Sequence, residues 1–268
     1  MFKPKPKPLA RLHFFFAREA PVGVIFREGP RKRIRLILWH TDTDTFELGH
    51  WFLGQLQFQD LSPDGKLLIY AAYKWHQKQE NGYSDAWVAI SKPPYLTALA
   101  LWPMSWGRWG GAFLDNQTVE LTGSLSVWSE SHPNHPLPPW LTIKKQLISE
   151  QSPSSPSDWQ PVVGGSEYLY APYEKPLQGT QGRFILRCQA RQSRSPLYTL
   201  YDSFEQTSQN LEAEQAEVDS QGRLILTRDG KLFVATLHDD GSLMTTELAD
   251  FNDMVFEAIP PPEWAIKW

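Results

Sequence analysis

Short apolar runs alternate with clusters of turn-forming residues along this chain, and one stretch shows the pattern clearly. Residues 55–59 alternate polar and apolar side chains, residues 67–72 are continuously apolar, and Ser62-Pro63-Asp64-Gly65 separates the two runs. Proline presets one turn torsion and glycine accepts a positive φ, so the stretch predicts a strand, a tight turn and a second strand. Further strand-like runs at 83–90 and 95–101 make four strands in about 45 residues, the length of one propeller blade.

The same pattern recurs elsewhere and predicts four further groups of strands. Looser copies of the turn occur at Gly182 and Gly222, and Asp229-Gly230 predicts a tight hairpin. Two segments are different: residues 140–148 fit either a strand or a short helix, and residues 211–216 form a predicted helical turn. The other strand-like runs lie at 12–16, 22–26, 34–39, 45–48, 109–114, 119–121, 125–128, 168–170, 197–201, 224–226, 231–237 and 243–248.

These groups predict an all-β fold, which we interpret as a single β-propeller of about five four-stranded blades. Radial repetition protects the exposed edges of antiparallel sheets, and unequal spacing is compatible with it because insertions fall in surface loops. A pair of β-sandwiches is the alternative. The propeller would cover residues 11–268, with a Pro/Ser-rich insertion near 129–160 and an extended basic Lys-Pro arm at 1–10. Residues 254–264 would form a closing strand docked against the N-terminal group.

The turn motif also carries a family resemblance. Residues 62–70, which include Ser62-Pro63-Asp64-Gly65, resemble the turn of the tryptophan–aspartate-like repeats in Tol-type translocation propellers and in prolyl oligopeptidase propellers. The resemblance implies a propeller blade whose innermost strand precedes the turn. It carries no catalytic residue.

Composition places the chain among globular proteins, because 41% of its 268 residues are hydrophobic and 21% are charged. Cys188 is the only cysteine, so no internal disulfide can form, and the alternation around it predicts a buried, inert thiol. No run approaches the about 20 apolar residues of a membrane span, and the basic N-terminus lacks the apolar core of a signal peptide. We therefore expect a cytoplasmic location and no membrane partner.

A candidate binding face follows from the proposed blades. If each blade runs outward from the axis, the Ser-Pro-Asp-Gly turn marks one end of the molecule, and tryptophan and arginine collect at the other. Trp with Arg is the composition of interaction hot spots and anion sites, and it would stand out against a net charge of −4. Alternatively, the tryptophans cap the core and the arginines are merely solvated. The candidate contact residues are Arg31, Arg33, Trp75, Trp102, Trp106, Arg108, Trp109, Arg191 and Arg194.

Metal chemistry is not expected. His132 and His135 are three residues apart in a Pro-rich loop, and His40 and His50 flank an acidic turn. A zinc site needs three or four converging ligands, so we interpret the first pair as a flexible turn. The acidic turn, residues 41–45, has alternating oxygens but lacks the glycine and terminal glutamate of a calcium loop, so we interpret it as a solvated hairpin. We expect no bound metal and no cofactor.

The leading expectation is a non-enzymatic binding protein that recognises a protein partner or an anionic ligand, for example as an inhibitor or immunity-type partner. Nucleic acid is not the expected partner. The alternative is a carbohydrate-active hydrolase or lyase, which would need two facing carboxylates in the central channel. No nucleophile elbow, phosphate loop or dinucleotide fingerprint is present. The carboxylates at turns that this alternative would draw on are Asp60, Asp64, Asp115, Asp219 and Asp229.

Overall fold

A computed structural model of the chain describes residues 9–30, 32–74, 81–104, 109–123, 130–147, 159–162, 172–191 and 194–268. Within these residues the chain is all-β, as the sequence predicts, with strands in five separate sheets. One short 3₁₀ helix, Glu263–Ile266, lies near the C-terminus. No helix in the described part of the chain has the length and apolar character needed to cross a bilayer.

The described residues contain twenty strands in two compact units. The first unit comprises residues 9–14 and 27–30 with the described residues of 157–254, and the second comprises 15–26, the described residues of 31–156, and 255–268. In chain order the strands are β1 (Arg11–Phe16), β2 (Val22–Glu28), β3 (Arg33–His40), β4 (Thr45–Leu53), β5 (Gln55–Leu61), β6 (Leu68–Tyr73), β7 (Ala86–Ser91), β8 (Ala100–Met104), β9 (Trp109–Phe113), β10 (Thr118–Gly123), β11 (Thr142–Leu147), β12 (Gln160–Pro161), β13 (Tyr173–Pro176), β14 (Phe184–Arg191), β15 (Arg194–Asp202), β16 (Thr207–Asn210), β17 (Gln215–Val218), β18 (Leu224–Arg228), β19 (Lys231–Leu237) and β20 (Leu243–Asp250).

The first two sheets have the orders β1-β2-β3-β4 and β5-β6-β7-β8, so each is built from four consecutive strands as predicted. The β5–β6 hairpin pairs Gln55 with Tyr73 and contains a bulge beside Asp60. The last strand of the second sheet begins at Ala100, later than the predicted run. Residues 95–98 instead form a connection, in which the Leu96 carbonyl accepts a hydrogen bond from the Tyr70 hydroxyl at 2.7 Å.

The third sheet has the order β11-β10-β9 in the described residues, and its strands are not all antiparallel. The segment that fitted either a strand or a helix is strand β11, which pairs in parallel with β10 from Thr118↔Thr142 onward. Lys144 and Lys145 on β11 are exposed, and lysine on an outer strand discourages further strand pairing. The predicted strand at 125–128 lies outside the described residues.

The fourth and fifth sheets have the orders β12-β13-β14-β15-β16 and β17-β18-β19-β20. The predicted helical turn at 211–216 is wrong. The amide of Leu211 donates to the Tyr198 carbonyl at 3.1 Å and that of Glu214 to the Thr227 carbonyl at 2.7 Å, so these residues bond to neighbouring strands instead of to the preceding turn. The predicted run at 168–170 lies outside the described residues.

The recurring glycine turns are confirmed in three sheets. Gly65, Gly182 and Gly222 have φ of +74°, +78° and +78°, and each lies in a hairpin connection where such a torsion is required. In the first of these turns Asp64 accepts from the Ser62 hydroxyl at 2.8 Å and from the Lys66 amide at 3.1 Å. Aspartate in this turn therefore serves the backbone.

Each unit has its own hydrophobic core. In the second unit, one cluster includes Leu36 and Leu68, and another includes Val88 and Phe113. The first unit has a cluster around Leu186 and Leu224. Strand β3 is buried from Ile34 to Trp39 and strand β6 from Leu68 to Tyr70, which explains why these stretches are largely apolar on both faces.

The N-terminal strand is bonded to the fifth sheet within the first unit. The Gln215 side chain accepts from the Phe14 amide at 2.9 Å and donates to the Phe14 carbonyl at 2.6 Å. Arg27, which is buried, donates to the carbonyls of Phe251 and Asn252, each at 3.0 Å. These bonds join residues near the two ends of the chain.

The predicted closing strand at 254–264 is wrong, because this segment joins no sheet in the described structure. Residues 255–268, which we call the C-terminal strap, have no regular secondary structure before the 3₁₀ helix and belong to the second unit. Three prolines, Pro260 to Pro262, have no amide hydrogen to donate to a strand ladder. The strap nevertheless contacts the first sheet, as expected, through side chains of β3 and β4.

Candidate functional site

The structure describes only part of the contact face that the sequence predicts. Trp109 and Arg194 begin β9 and β15, and their side chains lie outside the described residues. Arg33 begins β3 in the second unit, Arg191 ends β14 in the first, and both are exposed. The grouping of these residues at one end of the molecule stays a prediction. The contact residues that lie wholly outside the described part of the chain are Arg31, Trp75, Trp106 and Arg108.

Trp102 differs from the others, because its side chain belongs to a hydrophobic core. It lies on β8, is 1% exposed, and packs in the cluster that contains Val88 and Phe113. Such a side chain stabilises the packing of sheets and offers no surface to a partner. The sequence around Trp102 is a continuous apolar run, so no alternation marks the direction in which this side chain points.

Arg33 lies in an exposed aromatic and apolar environment that the sequence analysis did not identify. Its guanidinium carbon lies 5.5 Å from the ring centre of Phe256 on the strap, and on β4 Leu53 is its partner in the strand register. Leu53 is 60% exposed, Phe256 54% and Val255 79%. Large apolar side chains so open to solvent, beside an arginine, form a typical hot-spot composition.

A second arginine, Arg35, packs against the residues that carry this surface. Arg35 is two residues from Arg33 on β3 and is buried, with its guanidinium carbon 5.3 Å from the ring centre of Trp51. Trp51 in turn packs on Phe256 with ring centres 6.3 Å apart. Burial lowers the pKa of Arg35, while the nearby Glu257 carboxylate opposes that change. We call Arg33, Trp51, Leu53, Val255 and Phe256 the Arg33–Phe256 surface.

In the Arg33–Phe256 surface, Arg33 has an available charge. Within the described residues no carboxylate forms an ion pair with it, and its described contact is the ring of Phe256. A guanidinium over an aromatic ring keeps its in-plane N–H donors free for a carboxylate. The surface can therefore bind an anionic group that has an apolar neighbour.

His50 on β4 fixes the middle of the strap. Its Nδ1 accepts from the Leu96 amide at 3.1 Å, and the ring makes a second hydrogen bond to the backbone of Ile259. Tyr95 packs edge-on against the ring with 5.1 Å between centres. Burial lowers the pKa of His50, so this side chain is neutral near pH 7.

Lys92 and two aromatic pairs fix the end of the strap. The Lys92 ammonium donates to the carbonyls of Trp264 and Lys267 at 3.0 and 2.6 Å, which satisfies acceptors at the end of the 3₁₀ helix. Trp264 packs edge-on against Tyr95 at 5.4 Å, and Trp268 against Trp140 at 5.6 Å. Burial lowers the pKa of Lys92. A shallow depression of about 510 Å³ is lined by Lys92, Glu263, Trp264, Lys267 and Trp268.

His132 and His135 form an ordered cluster with Tyr83 and do not behave as the predicted flexible turn. The ring of His132 stacks on Tyr83 with centres 3.9 Å apart, and its Nε2 lies 2.8 Å from the Asn81 carbonyl. His135 Nδ1 lies 2.9 Å from the Ala98 carbonyl and its Nε2 3.1 Å from the Tyr83 hydroxyl. Both imidazoles are thereby committed to hydrogen bonds within the protein.

The carboxylates that a glycosidase would draw on have varied surroundings in the described residues. Burial raises the pKa of Asp60 and of Glu214, and the nearby carboxylate of Asp229 acts in the same direction on Glu214. Asp60 is engaged by the Arg18 guanidinium at 3.2 Å and the Phe113 amide at 2.7 Å. Asp115, at a turn, accepts from the Gln117 amide at 2.7 Å. These contacts engage Asp60 and Asp115 within the fold.

Cys188 is half-buried on β14. Burial raises the pKa of its thiol, and the nearby carboxylate of Glu217 acts in the same direction, whereas a hydrogen bond with Tyr198 opposes them. A thiol with a raised pKa is a poor nucleophile near neutral pH. No group of three potential metal ligands occurs in the part of the chain that the structure describes.

Comparison with known proteins does not assign the chain to a family. No protein-family model matches it, and no curated protein sequence does. Among solved structures that resemble it is TolB from Acinetobacter baumannii, with 10% sequence identity and a TM-score of 0.27. The match covers 88% of this chain and 54% of that structure, so the chain spans about half the length of the TolB chain. A likeness at this TM-score does not establish a shared fold.

Proposed function

We propose that this chain is a non-enzymatic binding protein that recognises a protein partner through the Arg33–Phe256 surface. The observation that carries the proposal is an exposed arginine that stacks on an exposed phenylalanine and forms no ion pair within the described residues. Arginine and aromatic side chains dominate the binding energy of protein interfaces. A single exposed leucine or valine would need no explanation. Here Leu53 and Val255 lie beside the pair formed by Arg33 and Phe256.

The chemistry of the surface defines the partner. Arg33 offers bidentate donors to a carboxylate, and Phe256, Leu53 and Val255 offer apolar contact beside it. The partner would therefore present an aspartate or glutamate next to an apolar side chain. A small anionic ligand alone would leave the apolar side chains exposed, so a protein segment fits the surface better.

We further propose that the five sheets are the blades of one propeller. The sheets follow each other in chain order, three of them share the same glycine turn, and the N-terminal strand is hydrogen-bonded to the last sheet. A crystal structure or a solution scattering profile tests this arrangement. Two separate sandwiches would give a longer maximum dimension and contradict it.

The binding proposal is tested with single substitutions and a matched control. Affinity purification with the wild-type chain identifies binders, and calorimetry with the purified partner then compares Arg33→Ala and Phe256→Ala. Each should weaken binding by at least about 30-fold, which corresponds to about 2 kcal/mol for a hot-spot residue. Phe204→Ala is the control, because Phe204 is 70% exposed and lies 5.7 Å from the guanidinium carbon of Arg183, yet belongs to the first unit.

Stability and salt dependence complete the test. Both Arg33→Ala and Phe256→Ala remove exposed side chains, so the melting temperature should change little. Binding should also weaken as salt screens the charge of Arg33. If a partner binds Arg33→Ala and Phe256→Ala as tightly as the wild type, the Arg33–Phe256 surface is not the binding site.

A further inference from the structure

The depression at the end of the strap combines aromatic and charged side chains and shares no residue with the Arg33–Phe256 surface. Its lining consists of two indole rings, two ammonium groups and one carboxylate, from Trp264, Trp268, Lys92, Lys267 and Glu263. Its volume of about 510 Å³ lies within the range of about 300–1,000 Å³ that is usual for small-molecule sites. We call this feature the Lys92–Trp264 depression.

Trp264 offers an open indole face to a ligand. The residue is 50% exposed, and its ring meets the ring of Tyr95 at an angle of 78° with 5.4 Å between the centres. An edge-to-face pair covers at most one face of either ring, so at least one face of Trp264 is not covered by Tyr95. In the described part of the chain, the Trp264 ring makes no other aromatic contact and its Nε1 has no hydrogen-bond partner. The indole is therefore available to stack on a flat ring.

Trp268 provides a second wall that is already fixed in place. Its Nε1 donates to the Pro136 carbonyl at 2.9 Å, and its ring packs edge-on against Trp140 with 5.6 Å between the centres. The side chain is half-buried and packs against the hydrophobic cluster that contains Val88 and Phe113. A ligand would meet an ordered wall, which reduces the entropy cost of binding.

Lys92 adds a positive charge beside the indole rings. Two of its three N–H donors go to the carbonyls of Trp264 and Lys267 at 3.0 and 2.6 Å, so the ammonium is held at the depression with one donor left over. No carboxylate among the described residues forms an ion pair with Lys92, whereas Lys267 is paired with Glu263. Two ammonium groups and one carboxylate leave the lining with one uncompensated positive charge.

Glu263 restricts the ligand to a low negative charge. Its carboxylate belongs to the lining, and its side chain is 78% exposed. A ligand with several negative charges would be repelled by this carboxylate. A nucleic acid, whose binding depends on many cations that neutralise phosphates, does not fit a lining with a single excess cation.

We propose that the Lys92–Trp264 depression binds small ligands in which one carboxylate is attached to a ring. The carboxylate accepts from the remaining N–H of Lys92, and the ring lies on the open face of Trp264. An acidic sugar and an aromatic acid share this chemistry. A neutral ring would leave the charge of Lys92 unpaired, and an acid without a ring would leave the indole face uncovered. The site does not depend on the protein partner of the proposed function.

NMR titration of the wild-type chain with matched pairs of ligands tests the site. The pairs are glucuronate with glucose, and phenylacetate with phenylacetamide, so that each acid has a neutral counterpart with the same kind of ring. At least one acid should shift the indole Nε1–H resonances of Trp264 and Trp268 with a dissociation constant of about 1 mM, the affinity expected of so small a ligand. Its neutral counterpart should bind at least about tenfold more weakly, because the charge-assisted hydrogen bond is lost. The acid that binds more tightly identifies the sugar or the aromatic source.

Substitutions then assign the contacts within the depression. Lys92→Met should weaken binding of the acid at least about tenfold, and Trp264→Ala at least about fivefold. Lys66→Met is the matched lysine control, because the Lys66 side chain is 80% exposed and its ammonium pairs with Asp64 at 3.0 Å. Phe256→Ala should leave acid binding unchanged, which separates this site from the Arg33–Phe256 surface.

The comparison of acids with neutral ligands holds even if Lys92→Met detaches the strap, because it uses the wild-type chain. The site is overturned if neither acid shifts the two indole resonances at about 20 mM, well above the expected dissociation constant. Equal affinities for an acid and its neutral counterpart would also overturn it, as would unchanged acid binding by a folded Lys92→Met variant. Partner binding by Arg33→Ala and Phe256→Ala decides the proposed function separately.

Discussion

Asp60 offers the sharpest test of how the second unit is held together. It lies at the bulge of β5, is 5% exposed, and accepts from Arg18 at 3.3 and 3.2 Å and from the Phe113 amide at 2.7 Å. Arg18 also donates to the Phe113 carbonyl at 2.6 Å. One carboxylate therefore joins the β1–β2 connection, β5 and β9.

The expected loss in the free energy of unfolding follows from the groups that Asp60→Ala leaves without an acceptor. A buried amide without a partner costs about 1–3 kcal/mol, and loss of one partner of a buried ion pair costs about 3–5 kcal/mol. Arg18 is 28% exposed at its side chain, so water replaces part of the lost pairing. We expect Asp60→Ala to lower the free energy of unfolding by about 3–4 kcal/mol, or the melting temperature by about 6–15 °C.

Asp60→Asn separates the hydrogen bond from the charge. Burial raises the pKa of Asp60 despite the opposing Arg18 and Phe113 contacts, so the folded protein accommodates the neutral side chain better than the ionised one. Asparagine keeps an acceptor for the Phe113 amide, and its cost should therefore be below about 1.5 kcal/mol. Because the pKa is raised in the folded state, this residue's contribution to wild-type stability is fully present below about pH 3.8. That contribution is lost as the pH rises through the folded pKa, and Asp60→Asn lacks the dependence.

Urea unfolding, followed by tryptophan fluorescence and circular dichroism between pH 4 and pH 7, measures both effects. Asp42→Ala is the control, because Asp42 is exposed in the β3–β4 turn. If Asp60→Asn and Asp60→Ala lower the free energy of unfolding equally, the ion pair with Arg18 contributes more to stability than the hydrogen bond from the Phe113 amide. That outcome would refute the reasoning.

Three further perturbations test local features. Gly182→Ala should lower the free energy of unfolding by about 1 kcal/mol from its positive φ alone, because nothing lies within 4 Å of a new Cβ. Gly65→Ala should lower it by more, because that Cβ would lie 3.0 Å from Val22, and urea titrations compare the two variants. Gly49→Ala should prevent folding of the second unit, because the Cβ would lie 1.9 Å from the Pro94 carbonyl oxygen. The measurement is the yield of soluble protein and the presence of a cooperative unfolding transition, and both should be lost. Cys188 should react with Ellman's reagent more slowly than glutathione at pH 7.5 and reach full reactivity only on unfolding, because burial raises its pKa.

Strands and turns were predictable because their signals are local. The alternation of residues 55–59 and the turn at Gly65 need only a few neighbouring residues, and the structure has both where the pattern indicates. The parallel pairing of Thr118 with Thr142 was not predictable, because it joins residues separated by a long connection. Trp102 was assigned to a surface because a continuous apolar run does not show which face is buried.

The Arg33–Phe256 surface was missed for a related reason. Alternation in the strap predicted a strand, but its prolines remove ladder donors, and its apolar side chains contact Trp51 and Tyr95 from outside the sheets. Arg33 was identified, yet its partner Phe256 lies more than two hundred residues away in the sequence. A signal did exist, since a polar, solvated tail would not carry so much apolar surface.

Two arginines on one strand have different surroundings in this surface. Arg33 and Arg35 share a face of β3 and each lies over an aromatic ring, but one is exposed and the other buried. Since Trp51 contacts Phe256, the Arg35–Trp51 pair positions the ring over which Arg33 lies. Preorganisation of this kind reduces the entropy cost of binding, because the side chains are already ordered. The strap is the one part of this arrangement that is not built into a sheet, so the position of Phe256 depends on side-chain contacts and not on strand pairing.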